Sequence, residues 1–66
     1  MQVTINNNSF ELKPDATLEE ALIVAGIKTT GIATAVNGTV VARDKRDSLK
    51  LNEGDKILII TAFYGG

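Results

Sequence analysis

A chain of 66 residues that contains neither cysteine nor histidine has to be held together by a single apolar core. No disulfide can restrict its unfolded ensemble, and no thiolate or imidazole can hold a structural zinc ion. A domain of this size buries only about 60% of the surface that its unfolded chain exposes. Most apolar side chains must therefore reach one centre through short connections, which leaves no second domain to form a cleft. The same two absences remove the usual nucleophile–base pairs, together with haem and iron–sulfur ligation. The chain is not expected to be an enzyme in its own right.

Charge narrows the partners. Seven basic and eight acidic side chains give a formal charge of −1, and the basic residues are scattered except for Arg43, Lys45 and Arg46. That balance argues against a nucleic-acid partner, whose phosphates call for a broad basic surface. The Arg43–Arg46 cluster reads as a solvated turn, with steering toward an acidic partner rim as the functional alternative. The longest apolar run, Ile57 to Ile60, is far shorter than the roughly 20 residues of a membrane helix. No charged leader precedes an apolar segment. A soluble, cytoplasmic protein without membrane contact is the expectation.

Periodicity divides the chain into short elements. Val3 and Ile5, then Phe10 and Leu12, alternate with polar residues on either side of Asn6-Asn7-Asn8, which predicts a hairpin closed off by Pro14-Asp15. Thr17-Leu18-Glu19-Glu20 has the spacing of a capping box, in which hydroxyl and carboxylate each satisfy the other residue's N–H. A helix begins there, with Leu18, Ala21, Leu22 and Ala25 as its apolar stripe and Gly26 as its left-handed stop, and Ile27 folds back beyond it. Ile32 to Val36 and Thr39 to Val41 flank Asn37-Gly38, a strong two-residue hairpin signal because both residues tolerate positive φ. Arg43 to Ser48 reads as a loop or one helical turn, and Leu49 and Leu51 return to the core as a brief extended piece. Asn52 to Asp55 turns the chain into a last strand, Lys56 to Thr61.

Hairpin, helix, two short strands, polar turn and long final strand fit together with short connections if the last strand lies beside the first. The fold class expected is α+β, a β-grasp (ubiquitin-like) arrangement in which one main helix packs on one face of a mixed four- to five-stranded sheet. Residues 1–62 make the domain and 63–66 a flexible tail. A central last strand needs apolar residues on both faces along part of its length, and this one has them. Ile57 and Ile59 share one face and Leu58 and Ile60 the other. If the helix covers the first pair, Leu58 and Ile60 are left as a docking surface, beside Ala33, Ala35 or Thr34 of the neighbouring strand.

Behind that strand the sequence reads Phe63-Tyr64-Gly65-Gly66. Two glycines offer main chain only, so a narrow channel can clamp them where any Cβ would meet the wall. Gly66 is the candidate reactive residue through its carboxylate, Gly65 its stalk, and Phe63 and Tyr64 are aromatic anchors beside the channel.

Asn37-Gly38 followed by Val41 and Arg43, then Gly54-Asp55, then Ile57 and Ile59, then Gly65-Gly66, resembles the ThiS family of sulfur carriers in thiamine biosynthesis. These belong to the ubiquitin-like superfamily with the molybdopterin synthase small subunit, MoaD. The resemblance implies that a ThiF-like adenylyltransferase of the ubiquitin-activating type, using ATP and magnesium, adenylates the carboxylate of Gly66. A sulfur donor system then displaces AMP, and the thiocarboxylate delivers sulfur to a ThiG-like thiazole synthase. No cofactor would be bound stably by the carrier itself. Alternatives with the same tail chemistry are a carrier for molybdopterin or tRNA thiolation and a ubiquitin-like protein modifier. A non-catalytic interaction domain using the open sheet face is the remaining reading.

Overall fold

Two pairs of residues with positive φ set the hairpins. Asn6 (φ 49°) and Asn7 (φ 72°) make a two-residue turn between β1 (Gln2–Ile5) and β2 (Asn8–Glu11), and Asn37 (φ 50°) with Gly38 (φ 85°) makes another between β3 (Ile32–Val36) and β4 (Thr39–Val41). Positive φ at both central positions belongs to the type I′ turn, whose twist matches that of the strands it joins. Asn8 is therefore the first residue of β2, opposite Ile5, rather than part of the turn. The computed structural model describes residues 1–61.

The helix α1 (Leu18–Val24) forms between β2 and β3, a single 3-10 turn (Arg43–Lys45) follows β4, and β5 (Lys56–Thr61) comes last. The five strands lie in the order β2-β1-β5-β3-β4. β5 is central, parallel to β1 and antiparallel to β3, and the other pairings are antiparallel. The mixed sheet with one helix on one face is the β-grasp arrangement that the element order predicts. Leu49 to Leu51 contribute one isolated bridge, Thr17 to Lys50, and Leu51 is buried.

Both ends of α1 are satisfied by neighbouring residues. Thr17 and Glu20 form the full capping box, with Glu20 N–H donating to Thr17 Oγ1 (3.2 Å) and Thr17 N–H to Glu20 Oε1 (2.9 Å). The other free N–H groups of the first turn donate to the segment after the 3-10 turn, Leu18 to the Leu49 carbonyl (2.9 Å) and Glu19 to the Arg46 carbonyl (3.1 Å). At the far end Gly26 N–H reaches the Ile23 carbonyl (3.0 Å) and Ile27 N–H the Leu22 carbonyl (2.9 Å), a Schellman closure with Gly26 at φ 72°.

The stripe predicted for the helix is the face it buries. Leu18, Ala21 and Leu22 are wholly inaccessible and pack with Val3, Ile5, Leu12, Leu51, Ile57 and Ile59, while Ala25 and Ile27 border the cluster. Burying each large aliphatic side chain is worth about 1.5–3 kcal/mol. The net stability of a domain this size is only roughly 3–10 kcal/mol, so each of these residues matters.

One expectation for the polar turn is overturned. Arg43 and Lys45 are exposed, but Arg46 is 2% exposed and is no part of a solvated patch. Its guanidinium turns inward to neutral oxygens, Thr34 Oγ1, the Thr29 carbonyl and the Ile32 carbonyl. Charge clustering in a sequence says nothing about where a long side chain can run, and this one runs under β3.

Candidate functional site

The candidate site is built around β5. Its alternation is strict: Ile57 and Ile59 face the helix and are buried, whereas Leu58 and Ile60 face away from it and are 51% and 55% exposed. Register decides what joins them. Ala35 lies opposite Leu58 and Ala33 opposite Ile60, and on the far side of β3 Val40 lies opposite Ala35. Leu58, Ala35 and Val40 therefore form one row across three strands, with Ile60 and Ala33 beside it.

On this face the residues of β3 are small, and larger apolar ones stand on either side. A contiguous exposed apolar surface of this kind marks an interaction site more often than isolated exposed side chains do. On the β1 side of β5 the same face turns polar, where Thr4 lies opposite Lys56. An apolar centre with a polar margin is the usual anatomy of a protein-binding surface.

The predicted neighbourhood loses one residue and gains another. Thr34 belongs to the inner face and is buried, its hydroxyl donating to the Val41 carbonyl (3.0 Å) and accepting from Arg46 Nε (3.2 Å). Val40, 77% exposed, belongs to the patch and was not anticipated from the sequence. The signal for it was present: a two-residue turn at Asn37-Gly38 sets Val36 against Thr39 and so Ala35 against Val40.

Side-chain amides hydrogen-bond to β5 along both edges. At its start, Asn37 Oδ1 accepts from Lys56 N–H (2.9 Å), and Asn37 Nδ2 donates to Asp55 Oδ1 (2.9 Å). Asp55 Oδ2 in turn accepts from Asn52 N–H (2.8 Å), so the turn into the strand is a closed network. Further along, the carboxamide of Asn6 takes both hydrogen-bonding groups of Ile59. The last described residue, Thr61, stands opposite Ile32 at the start of β3. Phe63, Tyr64, Gly65 and Gly66 lie outside the described residues, as does the boundary expected at residue 62.

A second apolar spot lies on the helix side. Ile23 and Val24 are exposed next to Leu12 and Ala16, and together with Glu11, Lys13 and Glu20 they line a groove of about 430 Å³. The ion pair from Lys13 Nζ to Glu20 Oε2 (3.1 Å) lies among the lining residues. Among the described residues no cluster of His, Cys, Asp or Glu is placed to hold a metal ion.

Comparison with known proteins agrees with this arrangement. The model of the ThiS family matches residues 3–66. The fold is similar to the crystal structure of a thiamine biosynthesis protein (ThiS) from Geobacter metallireducens, with a TM-score of 0.83, 20% identity and complete coverage of both chains. It is also similar to the solution structure of a thiamine biosynthesis protein from Geobacter metallireducens, with a TM-score of 0.73, 20% identity, and coverage of 100% of this chain and 88% of that one. No curated protein sequence matches the chain.

Proposed function

The chain belongs to the ThiS family, whose members carry sulfur in thiamine biosynthesis and are not catalysts, and we propose that Gly66 is the residue that bears the sulfur. In this reading the Gly66 carboxylate attacks the α-phosphate of ATP in a ThiF-like adenylyltransferase, releasing pyrophosphate and leaving an acyl-adenylate. A sulfur nucleophile from the donor system attacks the acyl carbon and expels AMP. The thiocarboxylate so formed passes its sulfur to a ThiG-like thiazole synthase. ATP and magnesium belong to the activating enzyme, and the cycle is proposed to run in the cytoplasm.

The observation that carries the reading is the apolar row Leu58, Ala35 and Val40, with Ile60, whose two largest members, Leu58 and Ile60, stand on β5, the strand that precedes Phe63-Tyr64-Gly65-Gly66 in the chain. Leu58 and Ile60 belong to the same strand from which the tail continues, so an enzyme that grips them also fixes where the tail begins. Gly66 lies six residues beyond Ile60, a reach of at most about 22 Å for extended chain. The partner's nucleotide site must lie within that distance of its docking face. Phe63 and Tyr64 supply aromatic anchors along the way, and Gly65 enters the channel as main chain. Ordering two glycines costs roughly 1–2 kcal/mol each in backbone entropy, which the apolar contact has to offset.

Intact-mass spectrometry tests the reading. With the activating enzyme, ATP, magnesium and a sulfur donor, the chain is expected to gain about 16 Da as one carboxyl oxygen is replaced by sulfur. The gain should vanish when Gly66 is deleted. A chain that gains no mass, or gains it without Gly66, refutes the assignment, and intact conjugates to lysines of other proteins would identify a modifier instead.

A further inference from the structure

We propose that Arg46 is a positioning residue for the tail, acting through the start of β3 to fix the direction in which β5 leaves the sheet. The proposal rests on the sulfur-carrier reading above. Its basis is the hydrogen-bond pattern of β3. In an antiparallel ladder, alternate residues point their main-chain groups to opposite neighbours. Asn37 N–H bonds to the Lys56 carbonyl (2.8 Å), so the pairs Ala35–Leu58 and Ala33–Ile60 exchange hydrogen bonds and Ile32 turns its carbonyl away from β5. On that other side β4 pairs only as far as Thr34 opposite Val41. Ile32 lies beyond the end of β4, and Arg46 takes the place of the missing strand.

The fork of the guanidinium spans the gap. Nη2 donates to the Ile32 carbonyl (3.0 Å), Nη1 to the Thr29 carbonyl (2.9 Å) and Nε to Thr34 Oγ1 (3.2 Å). The main chain of Arg46 is itself anchored, since its carbonyl accepts from Glu19 N–H at the start of the helix. A buried charge that meets only neutral oxygens is a demanding arrangement, and a planar fork of donors is what lets one side chain bind three points at once. The three points lie in and just before the first three residues of β3, and the first of these, Ile32, is the residue opposite Thr61. Arg46 thus ties the helix start to β3, the strand that stands opposite the last described residue of β5.

The test exploits the fact that the carrier is a substrate of its activating enzyme. A variant that is merely less stable lowers the concentration of competent carrier, which raises the apparent KM and leaves kcat unchanged. A variant that docks normally but aims its tail wrongly keeps KM and loses kcat. Carrier-dependent ATP–pyrophosphate exchange is measured over a range of carrier concentrations for the wild-type chain, Arg46→Met and Arg46→Lys, with circular dichroism to establish folding. Arg46→Met is expected to lose roughly tenfold to hundredfold in kcat, the scale of a misplacement of about 1 Å, with KM little changed. Arg46→Lys keeps the charge without the fork and is expected to fall between the two; it carries the test if Arg46→Met does not fold. A rise in KM alone, or full kcat in the folded variants, overturns the proposal while the sulfur-carrier reading stands. No exchange with the wild-type chain overturns both.

Discussion

The carboxamide of Asn6 binds the main chain of Ile59 at both ends: Ile59 N–H donates to Asn6 Oδ1 (2.8 Å), and Asn6 Nδ2 donates to the Ile59 carbonyl (3.3 Å). β1 ends at Ile5, and its own main chain pairs with β5 only as far as the bond from Asn6 N–H to the Ile57 carbonyl. The side chain therefore extends the central pairing by two residues toward the end of β5. Asn6 manages this because it sits in a left-handed turn position that returns the backbone to β2 and leaves the side chain beside β5.

Replacing Asn6 with glycine separates the turn from the latch, since glycine keeps the positive φ at no steric cost. Asn6→Gly is expected to lose about 1–3 kcal/mol, the range for hydrogen bonds lost with a part-buried donor or acceptor left unpaired. Denaturant unfolding gives the magnitude, and native-state hydrogen exchange gives the location. The Ile59 amide should lose protection while the Ile57 region keeps it. Uniform loss of protection would mean that Asn6 acts through the turn alone.

The outer face should be separable from the fold. Leu58→Asp and Val40→Asp place a charge on a surface outside the buried core; Leu58 is half-buried on the central strand and aspartate is a poor strand former, so Leu58→Asp should cost about 1 kcal/mol of stability and the more exposed Val40→Asp less. If the face is where the activating enzyme docks, the central substitution Leu58→Asp should weaken binding by about 2 kcal/mol or more, roughly 30-fold. Val40→Asp, at the end of the row, should have the smaller effect. Calorimetric titration against the activating enzyme decides this, and unaltered affinity for Leu58→Asp would assign the face to another partner.

Legibility in the sequence followed the range of the interactions. The helix was legible because its signals are local: Thr17 and Glu20 are three residues apart, and Gly26 closes a turn already begun. Both hairpins were legible for the same reason, although Asn6-Asn7 lacks glycine and its turn type became clear only from the two positive φ values. The two faces of β5 could be read as Ile57 and Ile59 against Leu58 and Ile60, because alternation with period two is a property of the strand itself. Arg46 and Thr34 could not, since their burial depends on β4 ending at Val41 and leaving Ile32 without a strand neighbour. Val40 lies between these cases, implied by the register of a predicted turn but reached only when three strands are laid side by side.

The second hairpin turn allows a backbone test free of packing effects. Gly38 has φ 85° and nothing within 4 Å of where a Cβ would stand, so alanine there meets strain but no clash. Gly38→Ala is expected to cost about 1–2 kcal/mol, the penalty of a left-handed conformation for an L-residue. Gly38→Asn should cost less, because asparagine visits that region more readily. Thermal or denaturant unfolding of the pair checks the ordering, and equal losses would point to something other than φ.

The helix start gives a pH dependence with a definite sign. The Glu20 carboxyl is held below its ordinary value of 4.5, first by the hydrogen bond from the Thr17 N–H and then by Lys13. A carboxylate whose pKa is lower folded than unfolded binds fewer protons when folded, so its contribution is present above the unfolded value and is lost as pH falls through the folded one. Glutamine at this position can still accept the Thr17 N–H but carries no charge to favour the helix N-terminus or Lys13. The stability difference between the wild-type chain and Glu20→Gln should therefore favour the wild type at neutral pH. It should shrink as pH falls below the ordinary carboxylate range and close once Glu20 is protonated in the folded state. Added salt should reduce the part due to Lys13, whose ammonium is well exposed, and leave the capping hydrogen bond in place. Urea midpoints measured across the acid range for both chains test this, and a difference independent of pH would show that geometry, not charge, accounts for what Glu20 contributes.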